Sequence, residues 1–255
     1  MVTLVWPIYY DKNDKYGYGG VVVGKDDKYV TIQAEPEPIE IDVLRTAVLV
    51  VDMQNAFVHR GGYLDLVGFD ISATEKIIKP CQEVVHTARE KGIKVIYLQM
   101  GYSPDLSDSG GQDSPLWHKS QGLALLRQHP ELKDKLYIYG TWGADIIEEL
   151  KPQPADIVIR KQKHDGFIGT NLDIVLGTYG VKYLVFIGTA TNICVESTLR
   201  HAFSLRYFPI LVSDAVSQMG PSTTQEATIF NVRFIFGWVT TSKELLSAIR
   251  LVESS

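Results

Sequence analysis

Short apolar runs rich in β-branched residues alternate with amphipathic stretches from Thr46 onward. This alternation is typical of βαβ units, in which helices cover both faces of a parallel sheet. We therefore expect an α/β fold of three αβα layers around a six-stranded, mainly parallel sheet. The predicted strands are AVLVV (47–51), IKVIYLQ (93–99), DIVIRK (156–161), YLVFIG (183–188), PILVSD (209–214) and WVTT (238–241).

Polar capping residues mark the expected ends of two helices. Ser72 and Glu75 match a capping box, in which both side chains satisfy backbone N–H groups, and this helix is expected to end near Gly92. Thr241 and Glu244 repeat the pattern. Each pair predicts a helix N-terminus.

Two further helices are expected between these. One runs from about Asn171 to Gly180, and the next begins near Asn192. Cys194 then lies in the first turn of a helix, where backbone N–H groups have no partner within the helix.

The N-terminal segment has a different pattern. Two β-like runs, 20–23 and 29–33, are joined by the turn GKDD and predict a hairpin, whereas AEPEPIEID (34–42) predicts an extended connector. We therefore divide the chain into an N-terminal β-hairpin extension (1–40) and a main domain (41–255).

One connection is unusually long and polar. The segment 101–121 is rich in Gly, Ser, Pro and Asp, which favours a binding loop or a lid. A surface loop without a role in binding is the alternative.

Composition narrows the class of protein. A chain of 255 residues fits one large domain. The net charge of −5 offers no basic surface for nucleic acid, and no apolar run approaches the length of about 20 residues that spans a membrane. The N-terminus lacks a secretory pattern, and two cysteines are too few for a disulfide framework. We expect a cytoplasmic protein whose partner is a small molecule.

Three reactive side chains follow predicted strands. Asp52 comes after the first strand, Lys161 ends the third, and Cys194 lies six residues beyond the fourth. Ligands of open parallel sheets bind at the carboxyl ends of the strands, so these groups are expected to meet. Each has an ordinary alternative: a loop acceptor, a solvated lysine and an inert buried thiol.

Cys194 has the strongest physical case of the three. The helix N-terminus and a nearby lysine both stabilise a thiolate, so we expect a lowered thiol pKa. The same turn supplies N–H groups for a developing oxyanion.

The motifs that carry these residues resemble a known family. VVDMQNAF (50–57), KHDGFIGTNLD (163–173) and GTATNICVESTLRHAF (188–203) resemble the cysteine-hydrolase branch of the isochorismatase-like superfamily, with similarity from Thr46 to Trp238. Three shorter segments further resemble the ureidoacrylate amidohydrolases of that branch: GGYLDLVGFDIS (61–72), GGQDSPLWHKS (110–120) and FGW (236–238).

The resemblance implies a role for each residue. It makes Asp52 the acid/base, Lys161 the positioning cation and Cys194 the nucleophile. It also implies a cis peptide between Thr189 and Ala190, which turns the Ala190 N–H toward the oxyanion beside that of Cys194. Residues 41–255 are then an isochorismatase-like hydrolase domain.

Candidate substrate contacts surround these residues, and some depart from the ureidoacrylate pattern. Met100-Gly101-Tyr102 stands where that pattern has Asn-Gly-Trp, and His164-Asp165-Gly166-Phe167 stands where it has Tyr-Ser-Gly-Phe. The identity of the substrate is therefore open. The candidate contacts are Asn55, Phe57, Tyr63, Tyr102, His118 and His164.

No metal or other cofactor is expected. The six histidines show no close-spaced ligand pair, and the region that carries the extra histidines of metal-binding nicotinamidases offers only His118.

The predicted function is that of a cysteine-dependent amidohydrolase, which cleaves a C–N bond of a small ureido or amide substrate through a thioester on Cys194. Biuret, triuret and N-carbamoyl amino acids are alternative substrates, whereas isochorismatase activity would leave Cys194 unexplained. The alternative from another class is a catalytically silent interaction module that docks through the N-terminal hairpin. The resemblance also implies a homo-oligomer, a dimer or tetramer.

Overall fold

The main sheet is six-stranded and parallel in a computed structural model that describes residues 28–252. Its spatial order is β5-β4-β3-β6-β7-β8. A separate antiparallel pair precedes it in the chain. The strands are β1 (Tyr29–Ile32), β2 (Ile39–Asp42), β3 (Thr46–Val51), β4 (Lys94–Met100), β5 (Ile157–Lys161), β6 (Tyr183–Thr189), β7 (Phe208–Ser217) and β8 (Trp238–Thr240). All six predicted parallel strands are confirmed.

Helices cover both faces of this sheet, which confirms the αβα fold class. Within residues 28–252, no helix is both long and apolar enough to cross a membrane. The helices are α1 (Asn55–Val58), α2 (Tyr63–Leu66), α3 (Ser72–Glu90), α4 (Pro115–Lys119), α5 (Gln121–Gln128), α6 (Leu172–Thr178), α7 (Glu196–Ser204), α8 (Ser222–Asn231) and α9 (Ser242–Ile249).

Strand β3 shows why this sequence forms a central strand. Its six residues are all buried, and it pairs with β4 on one side and β6 on the other. Val48 and Val50 belong to the core on one face, whereas Ala47, Leu49 and Val51 belong to the core on the other. A strand covered on both faces requires such a continuous apolar run.

Helix α3 buries one stripe of residues against the sheet and α9. Ile77, Cys81, Val84, Val85 and Ala88 are buried and belong to one hydrophobic cluster. Their spacing of three or four residues places them on one side of the helix.

The capping box predicted at Ser72 is wrong. Ser72 is the first residue of the helix, and its N–H donates to Asp70 Oδ1 at 2.9 Å, while Ile71 occupies the N-cap position. The aspartate two residues upstream satisfies this N–H instead. The Thr241 cap is confirmed, because its hydroxyl accepts a hydrogen bond from Glu244 N at 3.3 Å.

The two helices predicted in the second half are confirmed. Asn171 precedes α6, and Gly180 follows it with a left-handed φ of 64°. The next helix begins with a π-helical turn at 191–195 that leads into α7, and this turn contains Cys194.

An N-terminal antiparallel strand pair is confirmed, with a second strand that was not predicted. β1 covers 29–32 of the predicted run 29–33, and it pairs with 39–42, which lies in the predicted connector. The alternation of buried Ile39 and Ile41 with exposed Glu40 outweighs the preceding prolines. The predicted first strand, 20–23, lies outside the described residues.

This strand pair shares a core with the sheet. Ile32 and Ile41 are fully buried in the cluster that contains α3, and the Glu35 backbone forms a bridge with Val239 of β8. The division at residue 40 stays a prediction, and Ile41 offers a test of how far the segment before β3 stabilises the fold.

Replacing Ile41 with alanine should destabilise the protein by about 2–5 kcal/mol, because the deletion leaves a cavity in the core. Urea unfolding followed by circular dichroism measures this loss. Leu44→Ala is the matched control, since Leu44 is 51% exposed, and it should change stability by less than about 0.5 kcal/mol. Equal effects of the two substitutions would show that β2 adds nothing to the core.

Candidate active site

The sheet topology brings three chain segments to one edge. The chain passes from β3 to β4 and β5 on one side and then crosses to β6 on the other. Val51 at the end of β3 is paired with Gly188 of β6, and Met100 at the end of β4 is paired with Lys161 of β5. This crossover is the position at which open α/β sheets form a ligand crevice.

Asp52 and Lys161 form a buried ion pair at this edge. Lys161 Nζ donates to Asp52 Oδ2 at 2.8 Å, and the two side chains are 0% and 3% exposed. The other carboxylate oxygen accepts a hydrogen bond from Met100 N at 3.1 Å. Lys161 Nζ also donates to the backbone carbonyl oxygen of Lys163 at 3.2 Å. The pair therefore joins the ends of β3, β4 and β5.

Asp52 has a left-handed backbone conformation. Its φ is 49°, which is uncommon for a residue other than glycine but better tolerated by aspartate. Its N–H still donates to Leu98 O at 2.9 Å, and its carbonyl accepts from Gln54 N at 2.8 Å. The strand thus ends at Asp52, and the carboxylate reaches across to Met100 and Lys161.

Gly188 allows β6 to approach β3 closely. A Cβ atom at this position would lie 2.2 Å from Val51 O, and φ is 111°. Both conditions require glycine. One residue further on, the Thr189-Ala190 bond is the cis peptide that the family resemblance implied.

The pKa of the Cys194 thiol is raised, contrary to the prediction of a stabilised thiolate. Burial is the main cause; Lys161 lowers this pKa but Asp52 opposes it. Asp52 and Lys161 both interact with the thiol by hydrogen bonding and by charge. The structure thus brings the three side chains together, with the resting thiol protonated at neutral pH.

Lys161 remains charged in this environment. Burial disfavours its ammonium group, but the pKa of Lys161 is raised, chiefly because the Asp52 carboxylate attracts the ammonium and accepts its hydrogen bond.

His164 lies beside the thiol. Its Nδ1 is 3.5 Å from Cys194 Sγ. Burial and the neighbouring Lys161 lower the pKa of the imidazole, whereas Asp52 opposes this change. His164 is therefore neutral at pH 7.

A cavity of about 220 Å³ opens onto these groups. Asp52, His164, Ala190 and Cys194 all line it. Its apolar and aromatic walls come from other parts of the chain: Phe57, Tyr63, Leu64, Leu116, Tyr137 and Met219. The cavity can hold a small planar molecule with one polar end against the thiol.

Three predicted substrate contacts do not line this cavity. Asn55 Nδ2 instead donates to Trp142 O at 2.8 Å. Tyr102 is fully buried within an aromatic cluster, and His118 is exposed with Nε2 2.8 Å from Gln112 O. Phe57, Tyr63 and His164 do line it.

Several residues of the site were missed by sequence reasoning. Gln54 Nε2 donates to Met100 O at 2.8 Å, which fixes the end of β4. Lys119, Ser120 and Gln121 line the cavity from the segment 101–121. The polar composition of that segment was the available signal. No sequence signal pointed to Tyr137, which reaches the cavity through tertiary packing.

Between residues 28 and 252, no group of three His, Cys, Asp or Glu residues is arranged to hold a metal ion. The prediction that the protein uses no metal stays a prediction.

Fold and site together define an α/β protein with a buried carboxylate–ammonium pair beside a cysteine thiol. Residues 46–244 match the isochorismatase domain. The chain belongs to the isochorismatase family, and the resemblance inferred from its motifs is confirmed.

Curated relatives show similarity to one group of proteins within this family. The chain is 47% identical over 220 residues to the ureidoacrylate amidohydrolase RutB of Agrobacterium fabrum, covering 86% of this chain and 96% of that protein. It is 49% identical over 210 residues to the protein of the same name from Serratia proteamaculans, covering 82% and 85%.

Solved structures share the fold. A cysteine hydrolase from Pseudomonas syringae pv. phaseolicola is 30% identical with a TM-score of 0.68, covering 84% of this chain and 96% of that one. An N-carbamoylsarcosine amidase from Thermoplasma acidophilum is 27% identical with a TM-score of 0.58, covering 78% and 96%.

Lys161→Met should destabilise the protein by about 3–5 kcal/mol, because Asp52 is then a buried charge without its partner. Urea unfolding at neutral pH measures the loss. Adding Asp52→Asn should restore part of it, since the buried charge is removed. A loss below about 1 kcal/mol for the single variant would contradict a tightly paired, desolvated carboxylate.

His164 should make stability depend on pH. The pKa of His164 is lowered in the folded protein. Its contribution to the free energy of unfolding is therefore complete above its pKa in the unfolded chain, about 6.5, and is lost as pH falls through its folded pKa. His164→Gln should therefore lose less stability than wild type between about pH 7.5 and pH 5. Thermal unfolding at both pH values measures this. His86→Gln, on an exposed face, should lose stability with falling pH as wild type does. If His164→Gln showed the same dependence of stability on pH as wild type, the lowered pKa of His164 would be contradicted.

Proposed function

We propose that this chain is a cysteine amidohydrolase that cleaves a C–N bond of a small ureido acid, with ureidoacrylate as the leading candidate. The observation that carries the proposal is a protonated Cys194 thiol beside the buried Asp52–Lys161 pair at a largely apolar cavity. The two ureidoacrylate amidohydrolases that resemble the chain over more than four-fifths of its length support the choice of substrate.

The reaction begins with proton transfer from Cys194 to Asp52. Because the pKa of the thiol is raised, Sγ loses its proton only as it attacks the substrate carbonyl. Lys161 holds the carboxylate in place through the 2.8 Å hydrogen bond to Oδ2, so that it can accept this proton. Asp52 is the acid/base, Cys194 the nucleophile and Lys161 a positioning residue.

Attack produces a tetrahedral intermediate with a negative oxygen. In this proposal the backbone N–H groups of Ala190 and Cys194 hold that oxygen, because both residues line the cavity at the turn that carries the thiol. Removing one oxyanion donor typically costs about 3–4 kcal/mol of transition-state stabilisation.

Collapse of the intermediate breaks the C–N bond. Asp52 returns its proton to the leaving nitrogen, and the remaining carbamoyl or acyl group forms a thioester with Sγ. Water, deprotonated by Asp52, then attacks this thioester and restores the thiol. Each proton that Asp52 takes is given back within one turnover, so no metal or redox partner is required.

Substrate contacts in this proposal are restricted to residues at the cavity. Phe57 and Tyr63 pack against the planar part of the substrate, and His164 offers a neutral imidazole beside the thiol. Met100 and His164 differ from the ureidoacrylate pattern, and both line the cavity. These two positions bear most directly on which ureido acid is preferred.

Location and assembly are part of the same proposal. We place the enzyme in the cytoplasm, where a free thiol persists, as a homo-oligomer of two or four subunits. Size-exclusion chromatography with light scattering tests the subunit number.

Ammonia release from ureidoacrylate, biuret, an N-carbamoyl amino acid and nicotinamide tests the proposal. Ureidoacrylate should be hydrolysed with the highest kcat/KM. Cys194→Ala should lose at least about 1,000-fold in kcat, because the covalent route is removed. Mass spectrometry with a slow substrate should show an adduct on Cys194.

Cys81→Ala is the matched control, since Cys81 is buried away from the cavity with its thiol against Ala215 O. It should retain the wild-type rate. Undiminished turnover by Cys194→Ala would show that Cys194 is not the nucleophile. Failure of the wild type to hydrolyse any member of the panel would favour an interaction module.

A further inference from the structure

Lys119 is a cationic side chain at the cavity that has no carboxylate partner among residues 28–252. Lys161 lies behind the cavity wall, fully buried, and is already paired with Asp52. Asp52 is likewise the single carboxylate that the described residues contribute to the lining. The cavity therefore has one positive charge available for an anionic ligand.

Lys119 lies where the cavity meets an outer depression. Leu116, Lys119 and His164 line both spaces, whereas Cys194 lines the inner space and Lys163 the outer one. A ligand in the cavity can therefore contact both Cys194 and the side chain of Lys119.

The backbone that carries Lys119 is held in place. Ser120 N donates to Leu116 O at 2.8 Å, and the Ser120 hydroxyl accepts from Leu123 N at 3.2 Å. The same hydroxyl is 2.7 Å from the hydroxyl of Tyr137, which lines the cavity wall. The corner between α4 and α5 is thus fixed, while the ammonium of Lys119 remains available.

The charged residues of the outer depression also favour an anionic ligand. Lys163 adds a second cation in the outer depression. Asp165, the carboxylate of that depression, is paired with His201, whose Nδ1 lies 2.6 Å from Oδ2. An approaching anion therefore meets two lysines and no unpaired carboxylate from the described lining.

We propose that Lys119 is a specificity-determining residue that binds the carboxylate of the substrate and selects ureido acids over neutral ureides. The inference rests on the proposed function for the identity of the acid. In this proposal the ureido carbonyl of the acid binds at Cys194 and its carboxylate binds Lys119, since both residues line the same cavity. Biuret and simple amides lack the anionic end.

The test compares ureidoacrylate with its primary amide, which keeps the shape and removes the charge. Dissociation constants are measured by calorimetry on Cys194→Ala and on the same variant with Lys119→Met. Loss of Lys119 should weaken binding of the acid about 10-fold or more, as expected for a charge-assisted hydrogen bond. Binding of the amide should change less than about 2-fold. Lys119→Arg should restore most of the affinity for the acid.

Lys163→Met is the matched control, because Lys163 lines the outer depression and not the cavity. It should alter binding of the acid far less than Lys119→Met. In the enzyme with its cysteine intact, Lys119→Met should raise KM for ureidoacrylate and leave kcat within about 2-fold. This pattern is expected when the lost interaction stabilises the bound substrate and the transition state equally.

Three outcomes would overturn the inference: equal weakening of acid and amide, unchanged affinity for the acid, or no measurable binding of the acid. Hydrolysis of ureidoacrylate by wild type in any of these cases would leave the proposed function standing. Conversely, Lys119-dependent binding of the acid without hydrolysis would refute the proposed function and support the carboxylate site.

Discussion

The buried ion pair between Lys161 and Asp52 is the interaction on which the site depends. Two charges removed from water are stable only when each is fully satisfied. Here the carboxylate is bonded to Lys161 and Met100 N, and the ammonium is bonded to Asp52 and the Lys163 carbonyl. The same bonds that satisfy the charges also fix the ends of three strands. The interactions that stabilise this edge of the sheet therefore also fix the position of the Asp52 carboxylate.

The fold could be predicted largely from the hydrophobic pattern. A strand buried on both faces, such as β3, has a continuous apolar run that few other structures tolerate. The helix start at Ser72 was less predictable, because Asp70 competes for the same N–H. The pairing of β2 was missed because prolines conceal its alternation of buried Ile39 and Ile41 with exposed residues.

The site was predictable where strand ends determine it and unpredictable elsewhere. Asp52, Lys161 and Cys194 follow strands of one parallel sheet, so topology alone brings them near each other. Lys119, at the end of the short helix α4, and Tyr137, on an irregular segment, reach the cavity through tertiary packing. The thiol pKa was predicted in the wrong direction, because helix position and charge were weighed without the burial that dominates them.

The raised pKa of Cys194 has a consequence for how the protein meets reactive molecules in its surroundings. Peroxides and alkylating agents react with thiolates, and a protonated sulfur within a narrow, largely apolar cavity is a poor target for either. The Cys194 sulfur is thus a poor target for oxidants while it stays protonated. A covalent inhibitor would have to bind in the cavity as a substrate does, because the sulfur is not ionised and a strong electrophile alone would react with it slowly.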